Sequence, residues 1–284
     1  MYSCGQSNLF RDLLVSAAVA ASWVISPNLV QSQELPPDEE GALSQLDASP
    51  RHGEWVDFDA GEGDMVRAWV VYPERADRAP VVIVIHEIYA LTDWIRGVAD
   101  QFAAEGFIAI APDLLSGKGP GGGGSESVDR QGAVSLIREL DPDEVTRRLK
   151  GTAAYATGLP AATEAVGVVG YCWGGSTSFR MATEWPELGA AAVFYGGSPA
   201  VEALSSIEAP VLGHYGGDDA RVNASIPDAE AEMDRLGKFY EVNIYEGAGH
   251  GFLRQQSGRD GANLDATQAA WPRTIAFFRE HLGH

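Results

Sequence analysis

The chain has 284 residues, 45% of them apolar, and a formal charge of −20 from 40 acids against 20 bases. That is enough apolar material for one large α/β domain or two small ones, and so acidic a surface argues against nucleic acid and anionic membranes as partners. Two cysteines, Cys4 and Cys172, cannot supply a disulfide framework.

Arg11 precedes the apolar run LLVSAAVAASWVI (13–25). Its 13 residues are too few to span a bilayer but suit the core of a signal peptide, so no stable membrane span is expected. With VQS at 30–32, residues 1–32 read as a signal peptide cut before Gln33, and the mature chain as periplasmic or secreted. A cytoplasmic chain with an amino-terminal extension is the alternative. Residues 33–52, polar and proline-bearing, read as a linker. A single domain then covers 53–284.

That domain opens with GEWVDFDAGEGDMVRAWVVYP, which alternates around a glycine-rich turn and predicts an antiparallel hairpin. APVVIVIHE (79–87) is a buried strand, TDWIRGVADQFAAEG (92–106) an amphipathic helix ending at Gly106, and FIAIAPD (107–113) the next strand. SGKGPGGGGSES (116–127) reads as a flexible loop. Asp141, Pro142 and Glu144 then open a helix as N-cap, first helical residue and capping partner. From AVGVVG (165–170) onward strands and helices alternate to the end of the chain. The pattern predicts an α/β fold with a doubly wound, mostly parallel sheet, helices on both faces and an amino-terminal antiparallel hairpin.

GYCWGG (170–175) stands where the AVGVVG strand passes into the helix STSFRMATEW (176–185). Gly170, Gly174 and Gly175 relieve crowding at that turn, and Cys172 takes the place of the nucleophile in a G-x-nucleophile-x-G elbow. The helix N-terminus beside it should favour the thiolate. A buried cysteine packing a tight turn is the plain alternative. An elbow nucleophile needs a base, and the base an orienting acid, in the chain order nucleophile, acid, histidine. HYGGDDA offers Asp218 and Asp219, and EGAGHGF offers His250 between two glycines. His86 and His214 also end strands, but neither has a partner at metal-motif spacing, so neither metal nor cofactor is expected.

VIVIHEIYALTDWIRGVADQFAAEGFIAIAPDLL (82–115), VGVVGYCWGG (166–175), HYGGDDARV (214–222) and YEGAGHGFLR (245–254) together resemble the dienelactone hydrolase family of the α/β-hydrolase fold. The resemblance implies a Cys172–His250–Asp219 triad, with Asp218 on the variable position. It also implies that Glu87 of the HE motif takes the thiol proton when substrate enters. A carboxylate near the thiol would in addition raise its pKa by repulsion and keep it a thiol at rest. The backbone amides of Trp173 and Ile88 would form the oxyanion hole. Arg254, and upstream of the elbow Arg130, would grip a substrate carboxylate. The chain departs from the family at Ala90, where glycine is common, and at Asn223, where proline is frequent. The reading is of a monomeric hydrolase of lactones or small esters, expected to bear a carboxylate, acting through a thioester. A general short-chain carboxylesterase and a non-catalytic binding protein on the same fold are the alternatives.

Overall fold

Every residue of Ala79–Ile85 is buried. Val81, Ile83 and Ile85 pack into one apolar cluster, while Val82 and Val84 pack into another. A strand that is apolar on both sides requires a sheet covered on both sides, and the computed structural model, which describes Met1 and residues 34–283, has that architecture. Its strands are β1 (Gly53–Asp59), β2 (Met65–Val71), β3 (Ala79–Ile85), β4 (Ile108–Pro112), β5 (Ala162–Tyr171), β6 (Ala190–Phe194), β7 (Val211–Gly216) and β8 (Tyr240–Tyr245). They lie in the order β1-β2-β4-β3-β5-β6-β7-β8. The β1–β2 and β2–β4 pairs are antiparallel and the others parallel. This is the expected α/β-hydrolase arrangement, hairpin included.

The helices are α1 (Ala42–Ala48), α2 (Asp93–Ala104), α3 (Arg130–Glu139), α4 (Pro142–Thr157), α5 (Trp173–Glu184), α6 (Ala220–Asn223), α7 (Ile226–Leu236) and α8 (Ala262–Leu282). Helices α4, α5 and α7 cover one face through Leu149, Phe179 and Met233. Helices α2 and α8 cover the other through Phe102, Trp271 and Phe278. Asp141 caps α4 as its sequence requires, accepting hydrogen bonds from the amides of Asp143 and Glu144.

Two segments differ from expectation. The stretch read as a linker is docked from residue 34 onward. Trp94 donates its indole N–H to the Pro37 carbonyl at 2.9 Å, and Gln256 donates to the Pro36 carbonyl at 2.8 Å. Ser49 and Arg51 both bond to the buried Asp100. Its composition is that of a linker because it borrows an apolar and hydrogen-bonding surface from α2 and the loop after β8 instead of making its own. The glycine-rich 116–127 loop is likewise pinned. Asp113, just past β4, accepts hydrogen bonds from the amide and hydroxyl of Ser125 at 2.8 and 2.6 Å. The expected signal peptide lies outside the described residues, apart from Met1. Among the described residues no helix is long and apolar enough to cross a membrane.

Candidate active site

The four candidate catalytic side chains follow the carboxyl ends of strands: Glu87 after β3, Cys172 after β5, Asp219 after β7 and His250 after β8. In a parallel sheet those ends form one rim, where ligands of open α/β folds bind. Cys172 itself has φ 57° and ψ −113°, a conformation that side-chain-bearing residues rarely adopt. The glycines around it are required by contact. A Cβ on Gly170 would lie 1.9 Å from the Gly174 carbonyl oxygen, and one on Gly174 would lie 2.4 Å from that of His86. The elbow is therefore as sharp as its sequence implies.

The backbone amides of Trp173 and Ile88 both face the Cys172 sulfur and favour its thiolate. The loop that aims the Ile88 amide is closed by a hydrogen bond from the Ala90 amide to the Glu87 carbonyl at 3.0 Å. Ala90 has φ 65°, a left-handed conformation that explains why glycine suits this position better. Burial nevertheless raises the thiol pKa, and the charge of Glu87 raises it further. The amide at the helix N-terminus favours the thiolate and Glu87 opposes it, each in the direction expected, and burial is the largest influence. The two amides oppose the shift without overcoming the loss of solvent.

Glu87 is itself buried, and desolvation pushes its carboxyl up to about 7 against the pull of Arg254. Arg254 Nε lies 2.8 Å from Glu87 Oε2, a close charge contact whose N–H is turned off the hydrogen-bond line. Asp219 Oδ2 lies 2.5 Å from His250 Nδ1, and Asp219 is 7% exposed. Asp218 turns away into a half-exposed ion pair with Arg259 at 2.8 Å. The ring of Tyr195, after β6, stands 5.2 Å edge-on to that of His250, and its hydroxyl is in the fields of both Cys172 and Glu87. Tyr195 was not singled out from sequence, since VFYGG carries no signal beyond a strand end. A cavity of about 420 Å³, lined by Trp173, Ser176, Thr177 and Ser198 among others, opens beside the first turn of α5.

His86 and His214 are committed elsewhere. His86 bonds through Nδ1 to the Glu87 carbonyl and through Nε2 to the Leu114 amide. His214 sits between Tyr245 and Thr274, and burial lowers its pKa to about 3.

The structure brings Arg130 and Arg254 together, but around a carboxylate of the chain itself. Glu39 Oε1 lies 3.0 Å from Arg130 Nη1, and its Oε2 pairs with Arg254 Nη1. Both guanidiniums stand over the Tyr89 ring, at 3.7 and 5.3 Å from its centroid. Sequence reasoning missed Glu39 because it stands in an acidic run, DEE, indistinguishable from a solvated linker.

Residues 66–282 match the model of the dienelactone hydrolase family. The chain belongs to that family. A "Putative carboxymethylenebutenolidase" from Saccharolobus solfataricus is 30% identical over 260 residues, covering 78% of this chain and 96% of the relative. A protein of the same name from Methylorubrum extorquens is 27% identical over 290 residues, covering 97% of this chain and 94% of the relative. The crystal structure of a "Putative Dienelactone Hydrolase" from Klebsiella pneumoniae is similar with a TM-score of 0.71 at 26% identity, over 80% of this chain and 98% of that one. As a member of the dienelactone hydrolase family, this protein is a hydrolase acting on a small molecule.

Proposed function

We propose that this member hydrolyses lactones or small esters through a thioester on Cys172. The observation that carries this reading is the pair of amides, Ile88 and Trp173, directed at the sulfur of a strained elbow cysteine. The Asp219–His250 pair on the same rim and the name carried by the relatives support it.

In this reading His250, oriented by Asp219 through Nδ1, takes the thiol proton at Nε2. The sulfur adds to the substrate carbonyl, and the Ile88 and Trp173 amides hold the oxyanion. The ester C–O bond breaks, and the imidazolium returns the proton to the leaving alkoxide. A water molecule then gives His250 a proton as its oxygen attacks the thioester. The C–S bond breaks, the acid departs, and the thiolate recovers its proton. Glu87 holds the resting cysteine as a thiol by its charge, and with its carboxyl at about 7 it is a second acceptor for the thiol proton. A resting thiol resists oxidation, which suits export directed by the apolar segment 13–25. A non-catalytic binding protein would need neither the strained cysteine nor the Asp219–His250 pair. Mixing enzyme with an activated ester should release one product in a burst and leave an acyl group on Cys172. Steady release with no label on Cys172 would overturn the proposal.

A further inference from the structure

Beside the elbow lies a second constellation that the chemistry above does not use. Arg254 is buried to 6% exposure, its Nη2 within 3.5 Å of where a side chain on Gly251 would begin, next to His250. Arg130, at the start of α3, reaches the same place and also packs against the Tyr89 ring. Two guanidiniums against one aromatic ring, next to a nucleophile, form a carboxylate-binding subsite in chemistry and geometry. In this protein that subsite is filled. Glu39 gives one oxygen to each arginine.

Glu39 is not a surface side chain that found a cation. Its own amide donates to the Arg254 carbonyl at 2.9 Å. The two prolines before it are anchored by Trp94 and Gln256. Gly97 of α2 leaves room for Pro37, since a Cβ there would lie 2.8 Å from the proline ring. The backbone thus delivers the carboxylate to the arginines. Exposed ion pairs contribute little to stability, but this one involves an arginine removed from solvent and closes the only charge deficit among the four groups Glu39, Glu87, Arg130 and Arg254.

We propose that Glu39 is a specificity-determining residue: it occupies the subsite formed by Arg130 and Arg254 as a built-in carboxylate, so that the enzyme takes neutral lactones or esters and disfavours those bearing a carboxylate. The proposal rests on the reading of Cys172 as an ester-cleaving nucleophile and replaces the expected anionic substrate with a neutral one. An incoming carboxylate must displace Glu39 or sit beside it, and the charge of −20 repels it on approach.

The test compares the full protein with Glu39→Gln and with Glu39→Gln/Arg130→Ala on two p-nitrophenyl esters of similar size, the neutral butyrate and the anionic hemisuccinate. Glu39→Gln keeps the side-chain shape and frees Arg130 and the Nη1 end of Arg254, whose Nε stays against Glu87. The ratio of kcat/KM for the anionic over the neutral ester should rise about 10-fold or more, as one charge-assisted pair becomes available. High salt should reduce that gain, and the added Arg130→Ala should remove most of it. A ratio equal in wild type and Glu39→Gln overturns the proposal, as does a gain that survives Arg130→Ala in full. Binding of free succinate, measured by calorimetry, gives a readout independent of turnover and should tighten about 10-fold in Glu39→Gln. If neither ester is cleaved by any variant, the hydrolytic reading of Cys172 fails, while unchanged succinate affinity refutes the role of Glu39.

Discussion

Asp219 and His250, 31 residues apart in the chain, meet with Asp219 Oδ2 at 2.5 Å from His250 Nδ1. The neighbouring Asp218 points the other way, to Arg259. A buried carboxylate at Nδ1 holds the imidazole with Nε2 free for proton transfer, whereas a half-exposed one paired to arginine cannot. Asp219→Asn should therefore lower kcat by about 10³ or more, and Asp218→Asn by less than about 3-fold. Steady-state kinetics on any accepted ester decide the matter, and the opposite ranking would move the role to Asp218.

Cys172→Ala should abolish thioester formation and lower turnover by about 10³ or more, with circular dichroism and melting temperature close to wild type. Intact-protein mass spectrometry after mixing with substrate should show an acyl adduct on the wild type alone. Wild-type-like turnover in the alanine variant would end the assignment.

Glu87→Gln should make the thiol more acidic. Burial is the larger cause of its raised pKa and remains, but the repulsion from the carboxylate is lost, so the pKa falls part of the way. The effect should be greatest above pH of about 7, where Glu87 is ionised. The midpoint of the iodoacetamide alkylation rate against pH should move down. An unmoved or raised midpoint would show that Glu87 does not control the thiol.

Ala90→Gly should stabilise the fold by about 1 kcal/mol, because φ 65° is strained for alanine and free for glycine. Chemical denaturation gives the sign directly. A loss of stability would mean that the entropy of glycine in the unfolded chain and the lost burial of the Ala90 methyl against Leu115, Ala133 and Ile137 outweigh the relieved strain.

Export predicts an amino terminus near Gln33 in material recovered outside the cytoplasm. Such a cut would leave the docked segment from Glu34 onward intact, Glu39 included. An unprocessed Met1 in the soluble cytoplasmic fraction would refute export.

Much of this protein is written locally. The uninterrupted apolar run of β3, the Asp141–Pro142 start of α4 and the glycines of the elbow each reflect contacts made within a few residues or across neighbouring strands. Short-range sterics and hydrogen bonding therefore make them legible one segment at a time. The candidate residues are legible for the same reason: Glu87, Cys172, Asp219 and His250 each follow the end of a strand, and parallel strands bring their ends to one rim. Other features depend on surfaces assembled from distant segments. The repulsion of Glu87 is expected from the family resemblance, but the larger cause of the raised Cys172 pKa is burial by distant segments, which no window of sequence contains. The sharpest case is Glu39 with Arg254, 215 residues apart. The segment around Glu39 has no periodicity and no apolar face, and its binding surface is built from α2, α3 and the loop after His250. Only the folded domain creates that surface, so only the tertiary structure determines that the arginine pair already holds a carboxylate.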